Sequence, residues 1–168
     1  MTPLESIGDG NVGWVRKHYV LCSALLCTAS MLTFFVFGSY RLVFVNGSSM
    51  EPTYKDGEQL IAATFASVEL ERDYPVCWVK LDDGNDIIKR LIGYPGDIVV
   101  IDGYYTFVNG ELIYSSEFSD EYREFEVPDG QYLFLGDNRA DSIDGRYWVN
   151  QFVREDNIIA VVLNSGLK

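Results

Sequence analysis

Histidine is almost absent from this chain of 168 residues, which contains only His18. A serine or cysteine hydrolase normally needs a base beside its nucleophile, and imidazole is the usual one. Because His18 borders a long apolar run near the N-terminus, we do not expect it to reach a site in the rest of the chain. A hydrolase built from this sequence therefore needs a different base, and Lys89 is the candidate.

Cysteine is also scarce. Cys22 and Cys27 lie inside the apolar run, which leaves Cys77 alone in the part of the chain that follows it. A single cysteine can form neither an internal disulfide nor a cysteine zinc site, so both are excluded for that part. Because Cys77 is flanked by Val76 and Trp78, we interpret it as a core residue.

Positive charge is scarce after the apolar run. From Arg41 onward there are 11 Lys and Arg against 23 Asp and Glu, so the whole formal net charge of −12 lies in this part of the chain. Nucleic-acid binding needs a basic footprint. The acidity therefore argues against a nucleic-acid partner, and we interpret it as a solvated surface.

The sequence does contain a long run without formal charge, the 23 residues from His18 to Tyr40. At about 1.5 Å per residue, a helix of this length spans the roughly 30 Å hydrocarbon layer of a bilayer. A removed secretory leader is one alternative, although such leaders usually have an apolar stretch of about 7 to 15 residues before a small-x-small cut site. A buried core helix is the other.

An uncleaved membrane anchor is the interpretation that this run favours. Arg16 and Lys17 precede it, and the positive-inside rule then places the N-terminus in the cytoplasm. The sequence thus predicts a cytoplasmic tail over residues 1–17, a single transmembrane anchor over 18–40 and an extracytoplasmic domain over 41–168. The expected location is the cell (plasma) membrane, with the lipid bilayer as a partner.

After this run the sequence pattern changes to that of a mainly β domain. Short apolar or alternating segments, separated by Gly, Asp, Asn and Pro, indicate strands. The predicted strands cover residues 42–46, 59–64, 76–81, 86–92, 98–101, 105–108, 111–114, 132–135 and 158–163. Asn109-Gly110 predicts a type I′ hairpin turn. The acidic residues 115–128 are interpreted as a surface excursion.

Ser49 is a candidate nucleophile because of where it lies in this pattern. It follows a predicted strand, Gly47 loosens the backbone before it, and Pro52 prevents the strand from continuing. A serine at such a sharp exit can project its hydroxyl. The alternative is that Ser48, Ser49 and Thr53 only cap a turn.

Lys89 is a candidate base because its neighbours are aliphatic. In an extended strand it shares a face with Ile87 and Leu91. Desolvation penalises an ammonium group, so the pKa of Lys89 should fall from the usual value of about 10.4 towards values at which a neutral amine accepts a proton. The alternative is an edge-strand charge that discourages aggregation.

A third polar segment, residues 136–148, follows the predicted strand 132–135. Ser142 could orient a lysine amine by hydrogen bonding, and Asp144 with Arg146 could form an ion pair that fixes the loop. Taken alone, this segment could be any acidic loop.

Together the three segments resemble the type I signal peptidases, membrane-anchored serine proteases with a Ser/Lys dyad that remove signal peptides from exported proteins. The family block S-M-x-P-T corresponds to residues 49–53, K-R-x-x-G-x-P-G-D to residues 89–97, and G-D-N-R-x-x-S-x-D to residues 136–144. Their order and spacing and the preceding apolar run also agree. The shortness of the predicted exported part resembles the compact bacterial members, which lack a large inserted second domain.

The resemblance implies a role for each matched residue. Ser49 would be the nucleophile, Lys89 the general base and later the acid, and Ser142 the group that orients the lysine amine, with Asp144 and Arg146 as supporting residues. Small substrate residues in an Ala-x-Ala pattern would occupy shallow apolar pockets. These pockets would be lined by Val43, Val45, Met50, Tyr54 and Ile88. The expected partners are exported preproteins, and no metal or organic cofactor is needed.

Two positions depart from the family pattern. Gly145 follows the aspartate of the third block, where the family often has serine. Gly47 occupies a position at which some members have a serine whose hydroxyl helps the oxyanion hole, so backbone amides must supply that stabilisation. Two other functions stay open: a Ser/Lys protease dedicated to a narrow substrate such as a pilin or a conjugation protein, and a non-catalytic peptide-binding module.

Overall fold

The structure is a computed structural model that describes residues 10–68, 70, 72–163, 165 and 166. The chain divides into two compact units, one ending at Ser39 and the other beginning at Tyr40.

The described part of the first unit contains the helix α1 (Gly10–Phe37), of 28 residues. The side chains from His18 to Thr33 are exposed, and three hydroxyl groups within this stretch donate hydrogen bonds to backbone carbonyls one turn earlier in the helix. Among the residues described, no helix has the length and apolar character that a membrane crossing requires. The predicted transmembrane anchor over residues 18–40 is therefore not confirmed.

The second unit is mainly β, as predicted. Its nine strands, counted over the described residues, are β1 (Tyr40–Phe44), β2 (Gln59–Thr64), β3 (Val76–Lys80), β4 (Asp86–Gly93), β5 (Ile98–Val108), β6 (Glu111–Glu126), β7 (Gln131–Leu135), β8 (Phe152–Arg154) and β9 (Ile158–Val162). Their β-branched and aromatic content explains the preference for extended backbone. Three short 3₁₀ helices connect them: Phe65–Ser67, Arg139–Asp141 and Glu155–Asn157.

The strands form two antiparallel sheets. Seven strands pair in the order β1-β2-β9-β3-β4-β7-β8, and β5 with β6 forms a separate two-stranded ribbon. Strand β4 lies between β3 and β7, but its pairing with β7 begins only at Arg90, whereas its pairing with β3 runs from Asp86. The first residues of β4 thus keep one edge that β7 does not cover.

The ribbon is where the sequence predictions differ most from the structure. The type I′ turn is confirmed, since Asn109 and Gly110 have φ angles of 52° and 84° and join the paired residues Val108 and Glu111. Residues 115–128 are mostly at the surface, as predicted, but up to Glu126 they continue β6, which the predicted strand 111–114 did not include. The short strand β8 was not predicted.

Three apolar clusters hold the second unit together. The first packs β3, β4, β7, β8 and β9 around Leu91 and Phe134. The second joins β1 and β2 to Met50, and so fixes the turn that follows β1. The third seats the ribbon on β4 and β7 through residues such as Ile92, Phe125 and Leu135. The ends of β1, β4 and β7 are thereby held by buried side chains.

Candidate active site

Ser49 and Lys89 meet in the structure although 40 positions separate them in the chain. The Nζ atom of Lys89 lies 2.6 Å from the Oγ atom of Ser49, which is hydrogen-bond distance. Lys89 is on β4 and only 5% exposed, and Ser49 is in the turn after β1. The two candidate groups therefore form one pair.

Local backbone geometry explains why Ser49 leaves the strand. Gly47 has a φ of 88°, a left-handed conformation that glycine adopts readily, and its amide donates to the carboxylate of Asp56 at 2.8 Å. The turn is closed by two further bonds, from the Glu51 amide to the carbonyl of Ser48 at 3.0 Å and from the Tyr54 amide to the carbonyl of Met50 at 2.9 Å. Met50, 1% exposed, anchors this turn in the second apolar cluster.

The environment of Lys89 favours its neutral form. Burial is the largest influence and lowers the pKa of this amine below its ordinary value, because desolvation penalises the ammonium. The carboxylates of Asp144 and Asp137 oppose the effect, and the guanidinium of Arg146 adds to it. The net direction is downward, so a proton-accepting amine is available at lower pH than for an ordinary lysine.

The loop after β7 brings Ser142 to the same place. Its side chain is buried, and its hydroxyl has no hydrogen-bond partner that meets standard geometry within the described residues. It lies close enough to the carboxylate of Asp144 to contribute to that group's lowered pKa. Gly136 allows the close packing here, since a Cβ built on it would lie 2.5 Å from the Cβ of Ser142 and 2.7 Å from the carbonyl oxygen of Ser49.

Asp144 and Arg146 form the predicted ion pair. The guanidinium donates to both carboxylate oxygens, at 2.8 and 2.9 Å, and the Gly136 amide donates to one of them at 2.8 Å. Burial raises the pKa of Asp144, but the bonds and charge of Arg146, with the Gly136 amide, outweigh it and hold the pKa below its ordinary value. Asp144 is therefore an anion in the interior beside Lys89.

A second buried ion pair joins β4 to the same loop. Arg90 donates to the two carboxylate oxygens of Asp137 at 2.7 and 2.6 Å, and Thr53 donates to Asp137 at 2.6 Å. The amide of Asn138 donates to the carbonyl of Ser49 at 3.0 Å. The Asn138 side chain also donates to the carbonyl of Ser48 at 3.2 Å, and the Ser48 hydroxyl donates to Asp141. Several hydrogen bonds thus join the segment that holds Ser49 to the loop that holds Ser142. The sequence motif includes Arg90, but its partner is 47 positions away and was not predicted.

A cleft of about 730 Å³ opens over the Ser49–Lys89 pair, between β1 and the start of β4. Of the five predicted pocket residues, four line this cleft: Val43, Val45, Met50 and Ile88. Tyr54 is not among its lining residues, and packs instead against the second apolar cluster, which contains Met50. A larger cleft, of about 1000 Å³, lies beside β8 and is lined by neither member of the pair, so size alone does not mark the site.

Comparison with known proteins now identifies the family. The family model described as signal peptidase, peptidase S26, matches residues 15–164. The chain belongs to this family. The resemblance found in the three sequence blocks is therefore confirmed, as is the prediction of a peptide-bond hydrolase of the signal peptidase I class.

Curated relatives carry the same name. The chain is 32% identical over 147 residues to the probable signal peptidase I-2 of Synechocystis sp., a match that covers 80% of this chain and 66% of that protein. It is 32% identical over 160 residues to signal peptidase I U of Bacillus subtilis, covering 85% and 83%. A solved structure, a signal peptidase I from Enterococcus faecalis V583, matches at 23% identity with a TM-score of 0.48 and covers 60% of this chain and 99% of its own.

Proposed function

We propose that this protein is a serine endopeptidase that removes N-terminal signal peptides from exported preproteins, with Ser49 as nucleophile and Lys89 as general base. The observation that carries the proposal is the 2.6 Å contact between the Ser49 hydroxyl and an amine that is only 5% exposed. A buried, neutral lysine can do what histidine does in other serine proteases. The names of the relatives supply the substrate class.

The reaction proceeds in two halves. Ser49 Oγ attacks the scissile carbonyl carbon while neutral Lys89 takes the hydroxyl proton, and the ammonium then gives that proton to the departing amine. The peptide C–N bond breaks and an ester links the signal peptide to Ser49. Water, deprotonated by the same amine, attacks the ester and regenerates both groups.

Neighbouring groups hold the pair in this geometry. Ser142 would donate to or accept from the Lys89 amine, and the Asp144–Arg146 pair would hold the loop that carries Ser142. The backbone amide of Ser49, together with a second nearby amide, would stabilise the oxyanion, since Gly47 provides no hydroxyl there.

We infer that the substrate binds as an added strand in the cleft beside β1 and residues 86–88. Strand β1 is at the edge of the seven-stranded sheet, and β7 leaves one edge of β4 uncovered at these residues. Backbone hydrogen bonds of an extended peptide suit such edges. The apolar side chains Val43, Val45, Met50 and Ile88 would then select small residues in the Ala-x-Ala pattern.

Attachment to the membrane is a separate part of the proposal and depends on the sequence of residues 18–40. The N-terminus would be cytoplasmic and the domain over 41–168 extracytoplasmic. The test is extraction of cell membranes with alkaline carbonate. An anchored chain stays in the membrane pellet. Recovery of the protein in the supernatant would contradict the anchor but would not bear on the proposed Ser49–Lys89 chemistry.

The proposed chemistry is tested by cleavage of a purified preprotein in detergent. Wild-type protein should release the signal peptide at the site that the mature N-terminal sequence defines. Ser49→Ala, Lys89→Ala and Lys89→Arg should each lose at least a thousandfold in kcat, because the nucleophile or the neutral base is gone and a guanidinium stays charged.

Matched controls come from exposed residues of the same types. Ser115→Ala changes an exposed serine of β6, and Lys80→Ala changes an exposed lysine of β3. Both should cleave at the wild-type rate. Normal cleavage by Ser49→Ala or by either Lys89 variant would refute the proposed dyad, and absence of cleavage by the wild type would refute the substrate class.

A further inference from the structure

Asp120 lies outside the three sequence blocks, yet its carboxylate contacts the site. Strand β6 carries it to Arg146, whose Nη1 atom donates to Asp120 Oδ2. The Arg146 side chain is fully buried and that of Asp120 is 5% exposed. A buried carboxylate with this partner is unlike its acidic neighbours on β6, such as Glu121, whose side chain is 90% exposed.

The register of the ribbon explains how Asp120 reaches the loop. Ile101 pairs with Arg123 and Gly103 pairs with Asp120, so β6 has one extra residue between these pairs. A second irregularity follows before Tyr105, which pairs with Ser115. Bulges of this kind bend a strand and redirect its side chains.

Arg146 connects Asp120 to the loop. Its Nε and Nη2 atoms bind the carboxylate of Asp144, and Nη2 also donates to the carbonyls of Arg139 and Ser142 at 3.1 and 3.2 Å. Nη1 is directed to Asp120. The single guanidinium therefore ties the ribbon to both sides of the 3₁₀ turn that precedes Ser142.

Other contacts from the ribbon support the same loop. Arg139 donates to the hydroxyl of Thr106 at 3.0 Å, and Tyr114 donates to the carbonyl of Asp137 at 3.0 Å. None of these ribbon residues lines the cleft over the Ser49–Lys89 pair, as far as the described residues extend. Their influence on catalysis must therefore pass through the loop and not through substrate contacts.

From these contacts we infer that Asp120 is a positioning residue: from the two-stranded ribbon it holds Arg146, and through Arg146 it fixes Asp144 and the loop that presents Ser142 to Lys89. The inference rests on the proposed function, because the loop has a catalytic role only if Lys89 is the base. When Asp120 is removed, a buried guanidinium loses one of its two carboxylates and the loop gains freedom.

The test compares Asp120→Ala and the near-isosteric Asp120→Asn with Glu121→Gln, a neighbouring exposed carboxylate. The rate is measured per active site, counted with an acylating titrant of the nucleophile, so that misfolded protein does not enter kcat. Asp120→Ala should lower kcat by about ten- to a hundredfold, the usual effect of a misplaced catalytic group, with KM within about twofold. Asp120→Asn, which keeps an acceptor oxygen, should recover part of that loss, and Glu121→Gln should match the wild type.

A second measurement does not depend on catalysis. The Gly136 amide donates to Asp144 Oδ2, so its hydrogen exchange reports whether Arg146 still holds that carboxylate. Asp120→Ala should speed exchange of the Gly136 amide at least tenfold, while the amides of β3 in the same variant keep the wild-type rate. In Glu121→Gln the Gly136 amide should also exchange at the wild-type rate.

The inference would be overturned if Asp120→Ala left the Gly136 exchange rate unchanged. It would also be overturned if the wild type cleaved preprotein and Asp120→Ala cleaved it with the same kcat. If Asp120→Ala speeds Gly136 exchange but the wild type cleaves no preprotein, the proposed function is refuted. The result would still show that Asp120 restrains the loop through Arg146.

Discussion

Gly136→Ala should separate Ser49 from the loop that carries Ser142. A Cβ at this position would lie 2.7 Å from the carbonyl oxygen of Ser49 and 2.5 Å from the Cβ of Ser142. Ordinary contact begins at 3.4 Å, so the Ser49 carbonyl must retreat by about 0.7 Å and the Ser142 Cβ by about 0.9 Å. The hydroxyl of Ser142 can rotate away, but the backbone of Ser49 cannot.

This displacement acts on a contact of only 2.6 Å between Ser49 and Lys89. A shift of about 1 Å in a catalytic group costs on the order of a hundredfold in rate, so we expect kcat per active site to fall about ten- to a hundredfold. Overpacking should also cost about 1–3 kcal/mol in the free energy of unfolding.

The assay for Gly136→Ala is preprotein cleavage normalised by active-site titration, with the free energy of unfolding measured by denaturant. Gly93→Ala is the matched control, because its Cβ would lie 2.7 Å from Val127 and 3.0 Å from Val99, in the third apolar cluster. Gly93→Ala should reduce the free energy of unfolding about as much as Gly136→Ala does, but its kcat should equal that of the wild type. A Gly136→Ala enzyme with the wild-type kcat would refute the claim that this spacing sets the catalytic geometry.

Three other changes separate chemistry from stability. Ser142→Ala removes a buried hydroxyl for which the described residues offer no hydrogen-bond partner of standard geometry, so denaturant unfolding should show stability unchanged or increased. The same change should lower kcat at least tenfold, and a kcat within twofold of wild type contradicts the proposed role of Ser142. Arg90→Met leaves the buried Asp137 carboxylate without its partner and should cost about 3–5 kcal/mol in unfolding, whereas the exposed Arg154→Met should change it by less than about 0.5 kcal/mol. Activity should fall as the pH is lowered through the depressed pKa of Lys89, because the amine becomes protonated. Between that pKa and 10.5, Lys89 is protonated in the unfolded state and neutral in the folded state, so wild-type stability should rise with pH in this window. Lys89→Met should lose that rise, and a flat activity profile through the acidic range would contradict the proposed base.

The Ser49–Lys89 pair could be predicted because local sequence carried the necessary information. The glycine and proline around Ser49 indicated a sharp exit from a strand, and the aliphatic neighbours of Lys89 indicated a desolvated amine. The three motif blocks then fixed which serine, lysine and loop belong together. The paired turn at Asn109-Gly110 was predictable for the same reason, since its two positive φ angles are a local property.

The ribbon and its contacts could not be predicted, because they depend on pairing between distant residues. Acidic residues throughout β6 resembled a solvated loop, yet Phe125 is 3% exposed and seats that strand in the third cluster. The bulges that turn Asp120 towards Arg146 leave no sequence pattern of period two. The Arg90–Asp137 pair likewise joins strand β4 to the loop after β7, two segments that are distant in sequence and adjacent only in the fold.

The most direct test of the central claim is to trap the ester that the mechanism requires. Wild-type protein is mixed with preprotein, quenched in acid within one turnover and digested, and the adduct is located by mass spectrometry. Our account predicts that the fragment that contains Ser49 gains the mass of the signal peptide less one water, as an ester requires, and that Lys89→Arg forms no such adduct. Turnover without an adduct at Ser49, or an adduct on another side chain, would contradict it.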